Sequence, residues 1–214
     1  AFFLGSDHTP SDPSNSKFVS YSAQTNTWQI MPKPFWCCAH GYDHSAVNRT
    51  GDIYHQFGEG SVGHKYNVAT QTWSTYPGVG SVCCMGLEYF SELGGLVVVE
   101  GGFGSGSVSL FKESTGQWST LATGLSMGGY HNFAEYNPVH KVMVGGGGNG
   151  SRALYKITAT GQVSRLQDAP VELGIQNGAV FTVDPVSGDY LVFTFGQQFY
   201  VYNVLTDTWQ LRGS

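Results

Sequence analysis

The side chains best suited to chemistry in this sequence are histidines, tyrosines and carboxylates that stand in a few short segments. Adjacent phenol and imidazole groups, as at Tyr130-His131, can act as acid and base in proton transfer. Two carboxylates facing one pocket can hydrolyse a glycosidic bond, and Asp43 with Glu88 is the candidate pair. The residues predicted to bind a ligand are Trp36, His40, Tyr42, Asp43, His44, Glu88, Tyr130, His131, Gln176 and Asn177.

A regular repeat determines where these side chains stand. Its marker is Thr-x-x-Trp, and the copies with tryptophan are Thr25–Trp28, Thr70–Trp73, Thr115–Trp118 and Thr206–Trp209. A further copy begins at Thr160 and has Val163 in place of tryptophan. Successive markers lie 45, 45, 45 and 46 residues apart. Such constant spacing is typical of an array of identical structural modules.

Each repeat has the pattern of four short strands. A strand of small and polar residues, such as 42–47, precedes an apolar strand that ends in glycine, such as 53–58. An aromatic strand then leads through a polar turn into the tryptophan strand, as in a hairpin. Four strands in a period of about 40–50 residues predict a β-propeller blade, whose two faces are buried by stacking on neighbouring blades. We therefore expect an all-β propeller of four-stranded antiparallel blades, with the tryptophans packed between blades.

The repeats predict one propeller domain of about five blades, the first of which is incomplete. The expected blades span residues 1–34, 35–79, 80–125, 126–170 and 171–214. The first is too short for an innermost strand, so an open ring would expose sheet edges and faces. We expect either a longer parent chain of about six or seven blades, or a missing strand supplied by a partner. A five-bladed ring that lacks one strand is the less favoured alternative.

The second repeat resembles a kelch repeat. The matching segments are His44-Ser45-Ala46-Val47, Asp52-Ile53-Tyr54, Phe57-Gly58, Tyr66-Asn67 and Thr72-Trp73. Gly101-Gly102 and Gly145-Gly146 keep the glycine pair of that pattern in later repeats. The resemblance implies a kelch or galactose-oxidase-like propeller but no activity, because this fold hosts many functions. A copper oxidase of that type needs Tyr and His ligands together, and we find no matching ligand set; we expect no metal and no cofactor.

The innermost strands of a propeller converge on its central channel, so the ligand-binding candidates could meet around one pocket. One interpretation is a site for a small molecule or sugar, with Trp36, Tyr42 and Tyr130 as stacking platforms. The other is a hydrated channel lined by polar side chains that bond to neighbouring strands. If the protein is an enzyme, the catalytic candidates are His44, Glu88, Tyr130 and His131, although the sequence favours binding over catalysis.

The cysteines form two adjacent pairs near the entrance to the innermost strands of neighbouring blades. They are Cys37-Cys38 and Cys83-Cys84. An even count predicts disulfides in an oxidising compartment, with vicinal bridges, bridges between blades and buried thiols all left open. Asn48-Arg49-Thr50 and Asn149-Gly150-Ser151 match the acceptor pattern for N-glycosylation at predicted turns.

The amino-acid composition disfavours some classes of binding partner. The net charge is −5 with only 10 Lys+Arg, which disfavours nucleic-acid binding, and no apolar run is long enough for membrane insertion. We expect a binding or adhesion module outside a cell or on a virion surface, which recognises a glycan or a protein partner. The alternatives are a carbohydrate-active lyase or hydrolase with Tyr/His groups at the axis, and a structural subunit that assembles with further blades or other subunits.

Overall fold

The computed structural model describes residues 1–6, 16–32, 43–56, 62–80, 84–102, 105–174 and 179–213. Within these ranges every regular element is a β-strand. Blade 1 is a three-stranded sheet of β1 (Phe2–Ser6), β2 (Ser16–Ser22) and β3 (Thr27–Ile30). Blade 2 contains β4 (Ser45–Val47), β5 (Ile53–His55), β6 (Val62–Asn67) and β7 (Thr72–Pro77).

The other three blades repeat the arrangement of blade 2. Blade 3 contains β8 (Gly86–Phe90), β9 (Gly95–Glu100), β10 (Gly106–Lys112) and β11 (Gln117–Leu125). Blade 4 contains β12 (Asn132–Asn137), β13 (Val142–Gly147), β14 (Leu154–Thr158) and β15 (Val163–Arg165). Blade 5 contains β16 (Ala179–Val183), β17 (Tyr190–Thr194), β18 (Phe199–Asn203) and β19 (Thr208–Gly213). Consecutive strands within each blade pair antiparallel, so the predicted propeller of five blades, one of them incomplete, is confirmed.

The turn before each tryptophan strand needs one residue with a left-handed backbone. That residue is the second of the Thr-x-x-Trp marker, and its φ is positive in all five copies: Asn26, Gln71, Gly116, Gly161 and Asp207. Glycine adopts this conformation without steric cost, and asparagine and aspartate tolerate it better than other residues. The sequence repeat is therefore a repeat of hairpin geometry.

The core lies between blades rather than within one. Four apolar clusters fill the interfaces between blades 1 and 2, 2 and 3, 3 and 4, and 4 and 5. Trp73 packs on Phe18 of blade 1, and its indole N–H donates to the Pro32 carbonyl at 2.9 Å. Trp118 donates in the same way to the Pro77 carbonyl of blade 2 at 2.7 Å. The tryptophan strands of blades 2 and 3 thus pack against the preceding blade.

The first tryptophan departs from the predicted environment. Trp28 is 64% exposed, on a face of blade 1 that also presents Phe3 and Ile30 to solvent. The expectation that all the repeated tryptophans pack between blades is therefore wrong for Trp28. The reason is topological: Trp28 points to the side of a preceding blade, and the described residues place none there.

Candidate functional site

The innermost strands of blades 3, 4 and 5 place polar side chains at one equivalent position. Glu88 pairs with Val97 in blade 3, Glu135 with Val144 in blade 4, and Thr182 with Leu191 in blade 5. The Thr182 hydroxyl donates to Glu135 Oε1 at 3.2 Å, which joins blades 4 and 5 near the axis. Converging innermost strands therefore bring two carboxylates from neighbouring blades into one region.

Asp43 brings a third carboxylate to this region from blade 2. Its backbone carbonyl accepts from the Leu87 N–H of blade 3 at 2.9 Å. Its Oδ2 accepts from the Ala134 N–H of blade 4 at 3.2 Å. Its φ of 54° lies in the left-handed region that aspartate tolerates. We call Asp43, Glu88 and Glu135 the axial carboxylates.

The axial carboxylates hold their protons more tightly than ordinary carboxyl groups. Burial raises the pKa of Glu88 to about 7, and the charge of Glu135 adds to the effect. Burial also raises the pKa of Asp43 well above its usual value, Glu88 raises it further, and the bond from Ala134 opposes both. Burial raises the pKa of Glu135, against the bond from Thr182. Like charges in a poorly solvated site resist simultaneous ionisation.

A pocket of about 200 Å³ opens beside two of these carboxylates, between blades 4 and 5. Its lining is mainly apolar and consists of Asp43, Phe133, Ala134, Glu135, Leu173, Gly174, Ala179 and Phe181. The rings of Phe133 and Phe181 are 4.4 Å apart and form an aromatic wall. An apolar cavity with a few converging polar groups is the usual form of a small-ligand site.

The predicted histidines do not line this pocket in the described part of the chain. His44 is buried inside blade 2, where its backbone carbonyl accepts from the Gln56 N–H. The His131 Nδ1 lies 2.8 Å from Asn149 Oδ1, and the neighbouring Tyr130 is partly exposed. The structure thus brings together Asp43 and Glu88 from the predicted set and places His44, Tyr130 and His131 elsewhere.

Several predicted site residues lie outside the described residues, so their predictions stay untested. They are Trp36, His40, Tyr42, Gln176 and Asn177, together with Cys37, Cys38 and Cys83. Cys84, the cysteine within the described ranges, is buried, and its carbonyl accepts from the Asn132 N–H of blade 4. The disulfide prediction is therefore still a prediction.

The two glycosylation motifs have different surroundings. Asn48 is buried, and its Nδ2, the atom that would carry a glycan, donates to Glu113 Oε1 at 3.0 Å. Attachment there would break this bond. Asn149 is exposed and lies on a turn, although its Oδ1 contacts the His131 ring. Asn149 is the more accessible acceptor.

Sequence reasoning missed Glu135, Thr182 and the aromatic pair Phe133 and Phe181. Glu135 lies 47 residues after its equivalent Glu88, so a constant period of 45 aligns Glu88 with the wrong residue. The signal that could have identified it is the Glu-Tyr pair shared by Glu88-Tyr89 and Glu135-Tyr136.

Two structural features bear on cofactors and membranes. Among the described residues, no group of three or more His, Cys, Asp or Glu side chains is arranged to hold a metal ion. The same part of the chain has no helix of the length and apolarity needed to span a membrane. The expectations of no metal and no cofactor stay predictions.

The structure resembles solved propellers, whereas no protein-family model and no curated protein sequence matches the chain. A protein of unknown function from Bacteroides thetaiotaomicron superposes with a TM-score of 0.66 and 16% identity, over 98% of this chain and 54% of that one. A streptogramin B lyase gives a TM-score of 0.63 and 14% identity, over 91% of this chain and 61% of that one.

A fungal alcohol oxidase of the AA5 family, in complex with copper, gives a TM-score of 0.53 and 12% identity. The match covers 99% of this chain and 61% of the oxidase. This chain therefore spans little more than half the length of the three structures. At such low identity the similarity shows the fold alone, a propeller with galactose-oxidase-like neighbours, and does not single out the kelch family.

Proposed function

We propose that this protein is a binding module that recognises a sugar in the axial pocket between blades 4 and 5. The single observation that carries the proposal is the combination, in one cavity, of the Phe133 and Phe181 rings with the carboxylates of Asp43 and Glu135. Carboxylate oxygens accept hydrogen bonds from sugar hydroxyls, and an aromatic face packs against the apolar face of a sugar ring.

The size of the pocket limits the ligand. Drug-sized ligands occupy cavities of about 300–1,000 Å³, and this one has about 200 Å³. It therefore suits one sugar residue, such as the end of a glycan chain. A site that small supports a dissociation constant on the order of millimolar. Recognition outside a cell or on a virion surface is part of the proposal, as is a protein partner that carries the glycan.

The test is a titration of the protein with a panel of neutral mono- and oligosaccharides, followed by NMR. We expect saturable binding by at least one sugar, with shifts of the amides of Phe133, Ala134 and Phe181. Phe181→Ala should weaken that binding about tenfold or more, because the ring packing is lost. Phe193→Ala is the matched control, because Phe193 lies in the same sheet but is exposed and outside the pocket.

Two results would contradict the proposal. One is the absence of any binder in the panel at millimolar concentration. The other is binding that Phe181→Ala and Phe193→Ala weaken equally. Release of a cleaved product, lost in Glu88→Gln, would instead support the carbohydrate-active alternative, because a carboxyl group with a pKa near 7 suits a general acid.

A further inference from the structure

Two of the axial carboxylates line the pocket between blades 4 and 5 without a basic side chain of the described residues beside them. These two are Asp43 and Glu135. The ion pairs in the described ranges are made by Lys65 and Arg165, and both cations pair with carboxylates outside the pocket. Carboxylates removed from water are normally paired with a cation or neutralised by a proton. The described part of the chain supplies no such cation here.

Hydrogen bonds within the protein leave acceptor capacity in the pocket. Asp43 Oδ2 accepts from the Ala134 N–H at 3.2 Å, whereas Oδ1 has no donor among the described residues. Glu135 Oε1 accepts from the Thr182 hydroxyl at 3.2 Å. Each oxygen of a carboxylate has two lone pairs, so both groups can accept further bonds from a ligand.

The aromatic wall adds a second attraction for positive charge. The Phe133 and Phe181 rings are 4.4 Å apart and tilted by 44°. The face of an aromatic ring is electronegative and attracts a cation that lies within about 6 Å of its centre. In the described ranges, the lysine and the arginine that lie over a ring do so at Tyr54 and Tyr155 instead. The wall thus combines with the carboxylates as a site for a cation that the ligand must bring.

From these observations we infer that the ligand of the axial pocket is positively charged, and that the sugar it recognises is an amino sugar. The inference rests on the proposed sugar site and names the class of sugar. The ammonium group donates to the carboxylates of Asp43 and Glu135, and the ring packs against the aromatic wall. An ammonium group also relieves the repulsion among the axial carboxylates, whereas a neutral sugar leaves it in place.

The test is a comparison of glucosamine with glucose at neutral pH, by calorimetry and NMR. These sugars differ by one ammonium group in place of one hydroxyl. We expect glucosamine to bind about tenfold or more tightly than glucose, because hydrogen bonds between charged groups are stronger than neutral ones. The Ala134 amide, which bonds to Asp43, should shift on binding. N-acetylglucosamine, which has the nitrogen without the charge, should bind no more tightly than glucose.

Variants test which groups recognise the charge. Asp43→Asn and Glu135→Gln keep an oxygen that can accept from Ala134 and Thr182, and each should reduce the preference for glucosamine about tenfold. Asp168→Asn makes the same change at an exposed carboxylate that pairs with Arg165 outside the pocket. This control variant should keep the native preference.

The outcomes separate the inference from the proposed function. If glucose binds and glucosamine binds no more tightly, or if Asp43→Asn and Glu135→Gln keep the native preference, the inference is overturned and the sugar site stands. If no sugar binds, the proposed function is overturned and the inference with it. Cyclohexylammonium, a cation without hydroxyls, separates the two further. If it binds as tightly as glucosamine while glucose does not bind, the cation site is supported and sugar recognition is contradicted.

Discussion

At the scale of single residues, Glu88 shows most clearly how the fold changes the acid–base chemistry of a side chain. The carboxyl group sits on an innermost strand, close to Glu135 and Asp43, and burial raises its pKa to about 7. An unfolded chain would release this proton near a pH of 4.5. Because the folded state binds more protons between these values, the Glu88 carboxyl makes the free energy of unfolding fall as the pH rises from about 4.5 to 7.

The prediction is that Glu88→Gln removes this dependence. Relative to the native protein, the variant should gain free energy of unfolding between pH 5 and pH 8, by on the order of 1–3 kcal/mol. Urea unfolding at both pH values measures the change. A Glu88→Gln profile parallel to the native one would show that Glu88 titrates normally.

Another residue, Glu113, shows how polar groups support an interface without forming a ligand site. Its carboxylate accepts from the hydroxyls of Tyr54 and Tyr89 and from the amide of Asn48. Lys65 lies 3.0 Å from Asp52 and 4.0 Å from Glu113. Hydrogen bonds to charged groups are stronger than neutral ones, so this cluster fastens blade 2 to blade 3.

At the scale of elements, the hairpin turn explains the sequence repeat better than the strands do. Threonine hydroxyls on both sides of the turn lie 2.7 Å apart in three blades: Thr25 and Thr27, Thr70 and Thr72, and Thr206 and Thr208. The residue between the two threonines has a positive φ in all three: Asn26, Gln71 and Asp207. The marker persists because this turn sets the register of the two outer strands.

The turn makes a quantitative prediction for blade 3. Gly116 has a φ of 66° and open space where a Cβ would stand, so the cost of a side chain there is backbone strain alone. Gly116→Ala should lower the free energy of unfolding by about 1 kcal/mol. Gly116→Asn, which copies Asn26, should cost less, since asparagine tolerates this conformation. Thermal unfolding compares the two, and an alanine variant as stable as the asparagine variant would contradict the assignment.

At the scale of the whole molecule, stability comes from the stacking of blades. Each internal interface buries an apolar cluster, whereas the outer face of blade 1 exposes Phe3 and Trp28 and that of blade 5 exposes Val180 and Phe193. These two outer faces carry apolar residues like those that fill the interfaces between blades, but here the apolar side chains are exposed. A tryptophan in an interface between blades and the equivalent tryptophan on an outer face should therefore contribute differently to the free energy of unfolding.

The prediction compares Trp118 with Trp28. Trp118→Ala should lower the free energy of unfolding by about 2–4 kcal/mol, because it leaves a cavity against Phe111 and removes the bond to Pro77. Trp28→Ala should cost less than about 1 kcal/mol, because the indole is already 64% exposed. Chemical denaturation of both variants measures the difference. Equal losses would mean that Trp28 is buried in solution.

The strand order, the four-stranded module and the number of modules follow from the amino-acid sequence alone. These properties are local. A turn residue such as Asn26 or Gly116, and the alternation of side chains along each strand, recur at a fixed spacing. The strands of one repeat therefore predict the strands of all the others. The same locality explains why the strands of the first blade could be aligned with the later strands of the repeat. It also explains why Glu88 and Asp43 could be assigned to the innermost region.

Which side chains meet in the innermost region depends on the folded arrangement of several blades. Asp43 reaches Ala134 from two blades away, and Glu135 contacts Thr182 across an interface, at distances that no periodicity encodes. Glu135 follows Trp118 by 17 residues whereas Glu88 follows Trp73 by 15, and this longer connection between blades is why Glu135 was missed. The physical reason is that the axial site is assembled from one or two residues of several blades, so side chains far apart in the sequence meet only when the blades have stacked.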